Sequence, residues 1–169
     1  TSDFQSYLFA SDYHNDFKPF SVLQAQFSKA FSVSNSLTFK FQGDAGLPVG
    51  NDGIPFFNFV LGGYGYNSIN NFKPFFGYDF VSAAANSYIK ASGTIDYVFL
   101  KKNHLNFSAN FANLGQNLFK SKEWISLPKY SGYAFGYGLE TRIGPIEVKY
   151  SWSPESNKGY TWFNVGFWF

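Results

Sequence analysis

Few residues in this chain have chemistry to offer. Cysteine is absent, which removes a thiol nucleophile, a thiolate metal site and a disulfide framework. No serine stands in a G-x-S-x-G elbow, the sharp turn that exposes a hydrolase nucleophile. His14 and His104 are each isolated, with no second ligand at metal spacing, so each reads as structural or solvent-facing. The run Gly62, Gly63, Tyr64, Gly65 has the composition of a phosphate loop. It lacks the helix whose N-terminus would hold the anion, so it reads as loop backbone. One group is dense enough to notice: Glu140, Arg142, Glu147 and Lys149 flank a single Gly144-Pro145 reversal. Facing strands would interleave these signs, so an ion-pair network is expected there rather than an acid–base pair.

The elements that must position these residues alternate with a period of two. The stretch 160–169 shows it best. Phe163, Val165, Phe167 and Phe169 fall on one side, and Trp162, Asn164, Gly166 and Trp168 on the other. Phe20 to Val33 sets Leu23, Ala25, Phe27, Phe31 and Val33 against Gln24, Gln26, Ser28 and Ser32. Lys29 interrupts that apolar side, and either snorkels or is turned inward by a bulge. Further strands are expected around 37–44, 87–100, 105–111, 133–142 and 146–152, with a weaker one at 4–13. That makes eight, arranged in hairpins. Ser34-Asn35, 101–103 and Gly144-Pro145 are the tight reversals. The connections at the other ends are longer, and 47–86 is the longest. It holds Phe56, Phe57, Phe59, Phe72, Phe75 and Phe76, too many aromatics for a solvated loop, so it is expected to fold back over or into the sheet.

Composition narrows the class. Aromatics make up 23% of the chain and charged residues only 14%, against roughly a quarter charged in soluble domains. Mean hydropathy is nonetheless slightly negative, at −0.18. Lipid-facing and lumen-facing residues that alternate along strands give that combination. The formal charge of +2 implies no nucleic-acid partner. The expected fold is all-β, an antiparallel transmembrane β-barrel with about eight strands in this chain. Tyr133, Tyr137, Tyr150 and Trp152, near strand ends, read as interface girdles. Short turns on one side and long loops on the other match an outer-membrane barrel with a periplasmic C-terminus.

The last forty residues carry a resemblance. The strand–turn–strand from Gly138 through Gly144, Pro145 and Ile146 to Ser151 closely resembles the penultimate hairpin of the outer-membrane assembly-factor and two-partner-secretion transporter (bacterial surface antigen) superfamily. The ending, with Phe163, Val165, Gly166, Phe167 and Phe169, looks like its C-terminal assembly signal. Phe59, Gly62 and Gly63 are similar to the F-x-x-G-G that leads into its large sixth loop. Within the superfamily, 59–169 most resembles the barrel of Bacteroidetes-type patatin-like phospholipases. The resemblance implies a sixteen-stranded barrel of which this chain supplies the C-terminal half. One departure is plain: the assembly factors' arginine-glycine-aromatic loop tip has no counterpart, since no arginine lies between Gly62 and Asn86. Patatin chemistry also needs an aspartate before a glycine. Asp52-Gly53 is such a dipeptide, but it reads as a turn between strands.

Taken together, 1–169 reads as an outer-membrane barrel segment of a Gram-negative bacterium, with an extracellular loop at about 47–86. The resemblance implies that it anchors, and exports or displays, an upstream patatin-like hydrolase domain. The alternative is an independent eight-stranded barrel with a structural or adhesion role. No catalytic residue and no cofactor is expected in the segment. Expected partners are the bilayer and lipopolysaccharide, the barrel-assembly machinery, and the remaining strands of the same protein or of another subunit.

Overall fold

The computed structural model describes residues 20–50, 58–65 and 71–166. Seven long strands form one antiparallel sheet in the order β1-β2-β6-β7-β8-β9-β10. They are β1 Phe20–Ser34, β2 Leu37–Gly50, β6 Ser87–Phe99, β7 Asn103–Gly115, β8 Tyr130–Thr141, β9 Gly144–Ser153 and β10 Lys158–Val165. Three short strands, β3 Phe59–Leu61, β4 Phe72–Lys73 and β5 Ala83–Ala85, make a separate sheet in the order β4-β3-β5. The fold is the expected all-β, β-barrel-type sheet, and it is not closed among the described residues. The weak strand expected at 4–13 lies outside them.

Alternation decides the two faces. On the outer face, Phe27 is 62% exposed and Phe163 is 70% exposed. On the inner face, Tyr88, Ser108, Ala134 and Ser151 are fully covered. This inverts a soluble sandwich, where the apolar side would be the covered one. Lys29 stays on the outer face, its ammonium 5.7 Å from the centroid of Phe31.

Two reversals differ from the sequence reading. The first hairpin turns at Asn35-Ser36 rather than Ser34-Asn35. The β8–β9 hairpin turns at Arg142-Ile143, and Gly144 and Pro145 already pair with Thr141 and Glu140. Gly144 can take the positive φ of 110° that re-enters the ladder. Pro145 is tolerated because it opens the strand. Pro48 lies inside β2, beyond Gly46, the last residue of β2 paired to β6. Among the described residues β2 has only β1 as a neighbour there, an edge position where a sheet tolerates proline.

Of the segment expected as a long loop, 47–50 belong to β2, Phe56 and Phe57 lie outside the described residues, and 58–65 and 71–86 supply much of the core. Phe59, Leu61, Phe75, Tyr78 and Ala85 pack on Tyr88, Ala112 and Leu114 of the inner face. Phe59 and Tyr88 meet edge to face at 4.6 Å. Gly46 makes the space, since a Cβ there would run into both rings. The loop ends of β6 and β7 are tied separately: Ser87 donates to the Gly115 carbonyl and accepts from Leu118 N–H, both at 2.8 Å.

Candidate functional site

Residues 58–65 and 71–86 touch every long strand of the sheet on its inner face. Lys73 reaches Gln24 of β1 at 3.1 Å and Asp44 of β2 at 3.4 Å. Lys90 of β6 donates to the Pro74 carbonyl at 3.2 Å. In the amide orientation that satisfies both neighbours, Asn110 of β7 accepts from Phe76 N–H at 2.8 Å and donates to the Gly132 carbonyl at 2.6 Å. The Phe76 backbone lies against Gly132 of β8, and Gly77 against the backbone of Trp152 and Ser153 in β9. Phe80 meets Trp162 of β10 edge to face at 5.3 Å.

The local sequence allows this approach. The inner positions of β8 are Gly132, Ala134, Gly136 and Gly138, a strip with almost no side chain. A Cβ at Gly132 would overlap the Phe76 carbonyl, and one at Gly136 would meet Asn106 and Lys149. Gly77 has φ 79°, a conformation that disfavours any replacement.

The densest constellation is a latch between this segment and β9. The Tyr64 hydroxyl donates to Glu147 Oε2. Glu147 Oε1 accepts from Asn106 Nδ2 at 2.8 Å and pairs with Lys149 Nζ at 3.0 Å. The Lys149 ammonium sits over the rings of Tyr64 and Phe76, at 5.0 and 5.3 Å from their centroids. Tyr64 also packs near Trp162, whose indole N–H donates to Ser151 at 2.8 Å. Only 8% of the Lys149 side chain and 18% of the Glu147 side chain are exposed. Burial, then the hydrogen bond and charge of Glu147, push the Tyr64 hydroxyl well above its ordinary pKa. It therefore remains a neutral donor. Tyr64, Glu147 and Lys149 are all committed to one another, and only Asn106 Oδ1 is left buried without a partner among the described residues, an arrangement that suits holding rather than reacting.

A second latch lies at the other side of the sheet. Tyr88 donates to Asp44, and the Lys73 ammonium is 5.4 Å from the Tyr88 ring. A third holds the tip of the last hairpin. Glu155 accepts from Ser131 and Ser153 at 2.6 Å each and from Tyr78 at 3.3 Å. Burial raises the Glu155 pKa, but the hydroxyl and backbone donors outweigh it and hold the carboxyl below its ordinary range.

The expected four-residue charge cluster divides. Glu147 and Lys149 pair as described. Glu140 lies 3.3 Å from His104 Nε2, and Asp96 is 2.9 Å from Nδ1 of the same ring. Arg142 sits exposed in the turn and makes no ion pair among the described residues. The shift of the reversal to Arg142-Ile143 is the reason, since it removes Arg142 from the inner face. Of the terminal residues, Phe163 and Val165 are exposed on the outer face. Gly166 has φ 98°, and its N–H donates to the Pro145 carbonyl at 2.8 Å. Phe167 and Phe169 lie outside the described residues.

Sequence reasoning took His104 as structural or solvent-facing and Tyr64 as part of a loop backbone, and it gave Lys73 and Asn106 no role. A usable signal existed for Lys73, a rare cation within an aromatic-rich loop. The glycines of β8 were a signal that something approaches that strand.

The sequence model of the OMP85 superfamily matches residues 1–169. No curated protein matches the chain.

Proposed function

The chain belongs to the OMP85 superfamily, and from that premise we propose that this outer-membrane β-barrel is an anchor whose lumen is filled by its own loop. The observation that carries the reading is the contact of 58–65 and 71–86 with all seven long strands on the inner face. A sheet whose inner face is occupied in this way offers a support for an attached domain, not an open pore. The described hydroxyl–carboxylate pairs, Ser131 and Ser153 with Glu155 and Tyr64 with Glu147, are taken up in the latches, and we place the chemistry of the protein elsewhere. We assign it to an upstream patatin-like lipid hydrolase, a reading supported by the resemblance of 59–169 to the barrels of such enzymes. The short turns face the periplasm, as does the C-terminus, where 160–169 is read by the barrel-assembly machinery.

Two measurements test this. The mass of the intact protein from bacterial membranes is expected to exceed 19.1 kDa substantially, and lipid hydrolysis should travel with the heavy species. A 19.1 kDa species without hydrolase activity would leave the alternative, an independent barrel with a structural or adhesion role. In planar bilayers the protein is expected to be nearly closed, and Lys149→Ala to raise its conductance. Large, steady conductance in the unaltered protein would overturn the filled-lumen reading.

A further inference from the structure

Residues 116–129, which connect β7 to β8, fold down over the outer face of the sheet. Alternation along β7 puts Phe107, Phe111, Asn113 and Gly115 on that face. Phe107 and Phe111 are exposed, yet Asn113 is only 3% exposed, and Ser87, the strand partner of Gly115, is fully covered. The connection supplies the cover. Lys129 N–H donates to Asn113 Oδ1 at 2.7 Å, and Asn113 Nδ2 donates to the Ser126 carbonyl at 3.2 Å. A Cβ on Gly115 would touch Leu118, itself fully buried. We propose that the flap so formed is a wedge inserted in the lipid leaflet on the long-loop side of the membrane, with Trp124, Ile125 and Leu127 among the acyl chains. The inference rests on the barrel reading above and assigns lipid to this one loop.

Three observations converge on lipid as the occupant. The first is exposure. Ile125 is 68% and Leu127 88% exposed, with Trp124 half-exposed beside them. Three large apolar side chains within four residues are out of place in water. The second is continuity. The flap is pinned to the same face that presents Phe107 and Phe111, so its apolar residues extend the lipid-facing wall rather than a loop standing in solvent. The third is charge. Residues 116–129 carry Lys120, Lys122 and Lys129 against Glu123 alone, a balance that suits a lipid surface bearing anionic headgroups. The flap is also preformed. Glu123–Ile125 make a short 3-10 turn. Ser126 Oγ donates to the Glu123 carbonyl at 2.6 Å, Lys129 pairs with Glu123 at 2.8 Å, and the Trp124 ring lies 6.1 Å from that of Phe119. Little chain order is left to be lost on insertion.

The test places the intact protein in phosphatidylethanolamine–phosphatidylglycerol vesicles, with or without bromine on the acyl chains. The emission of Trp124 is the difference between the unaltered protein and Trp124→Phe. Brominated chains are expected to quench most of that difference, and aqueous acrylamide to leave most of it. Ile125→Ser combined with Leu127→Ser should reverse both results, and Asn113→Ala should do the same by unpinning the flap. A heat-dependent shift in gel mobility shows that each variant is still a folded barrel. A Trp124 emission quenched by acrylamide and not by bromine overturns the proposal and leaves the flap to a soluble partner. Shielding from both quenchers also overturns it, and points to a protein neighbour such as a second copy. Unchanged bromine quenching in the folded double variant overturns the role given to Ile125 and Leu127. Absence of the gel shift in the unaltered protein overturns the barrel reading as well. A folded barrel with Trp124 in water overturns only the wedge.

Discussion

The Tyr64 hydroxyl and the Glu147 carboxylate are 83 positions apart in sequence, and their bond is the sharpest point of the inner latch. Tyr64→Phe keeps the ring under Lys149 and removes only the donor. A hydrogen bond to a charged group contributes about 1.5–3 kcal/mol, so undocking of the loop should become about tenfold easier or more. Protease cleavage within 58–86 of the folded protein reads this directly, and an unchanged cleavage rate would mean that ring packing alone holds the loop. Removing the cation should cost more. Lys149→Met leaves Glu147 buried without its counter-charge, a loss of about 3–5 kcal/mol. Glu155 gives the pH dependence. Its folded pKa is depressed, so its contribution is complete above the ordinary glutamate pKa of about 4.3. It fades as pH falls through the lower, folded value. Amide exchange at Ser156 and Lys158, whose N–H groups belong to the same turn network, should accelerate below that range. Glu155→Gln should show no such acid step, and an identical acid step in the variant would move the cause to another group.

At the scale of elements, the β8 strip and the loop residues 71–86 are complementary parts. Gly132 matters most, because a side chain there meets the Phe76 backbone rather than a flexible group. Gly132→Val should therefore displace the loop while leaving the strand intact, since valine favours strands. The expected readout is faster cleavage of 58–86 with unchanged β content by circular dichroism. Loss of the whole sheet would show that the loop is required for the strands to form. The buried rings supply a second handle. Phe59 is 2% exposed, and Phe59→Ala should destabilise loop docking by about 3–5 kcal/mol. Loss of the cation from the buried Glu147–Lys149 pair is of the same order, so the apolar cluster and the latches hold the loop together.

At the scale of the molecule, β1 and β10 each show one unpaired edge among the described residues. Lipid cannot satisfy backbone donors and acceptors, so both edges need partners in the membrane. We propose that β10 pairs with a strand supplied by an upstream part of the same protein rather than with 4–13. The absence of cysteine makes the test clean. Phe163→Cys combined with Phe9→Cys, or with cysteine at neighbouring positions of 4–13, is expected to give no disulfide in the membrane. Efficient cross-linking would leave the eight-stranded alternative standing. Deleting Phe169 should impair assembly, and normal insertion of the truncated protein would count against an assembly signal at 160–169.

The sequence by itself determined the strands and their faces. Alternation is local, with each residue's side set by its neighbours two positions away. The outward exposure of Leu23, Phe27, Phe163 and Val165 was therefore legible from residue order alone. The aromatic load of 47–86 likewise pointed away from a solvated loop, and its described parts, 58–65 and 71–86, lie against the sheet. Only the tertiary structure decided where it goes and what holds it. The reversal at Arg142-Ile143 depends on pairing between strands, and it removed one member of the expected charge cluster. His104 joined Asp96 and Glu140 because register brought β6, β7 and β8 together. Tyr64, Lys73 and Asn106 acquired roles through contacts with residues remote in the chain. Such contacts follow from which strands are neighbours and which glycines leave room, and neither is encoded within a short window of sequence.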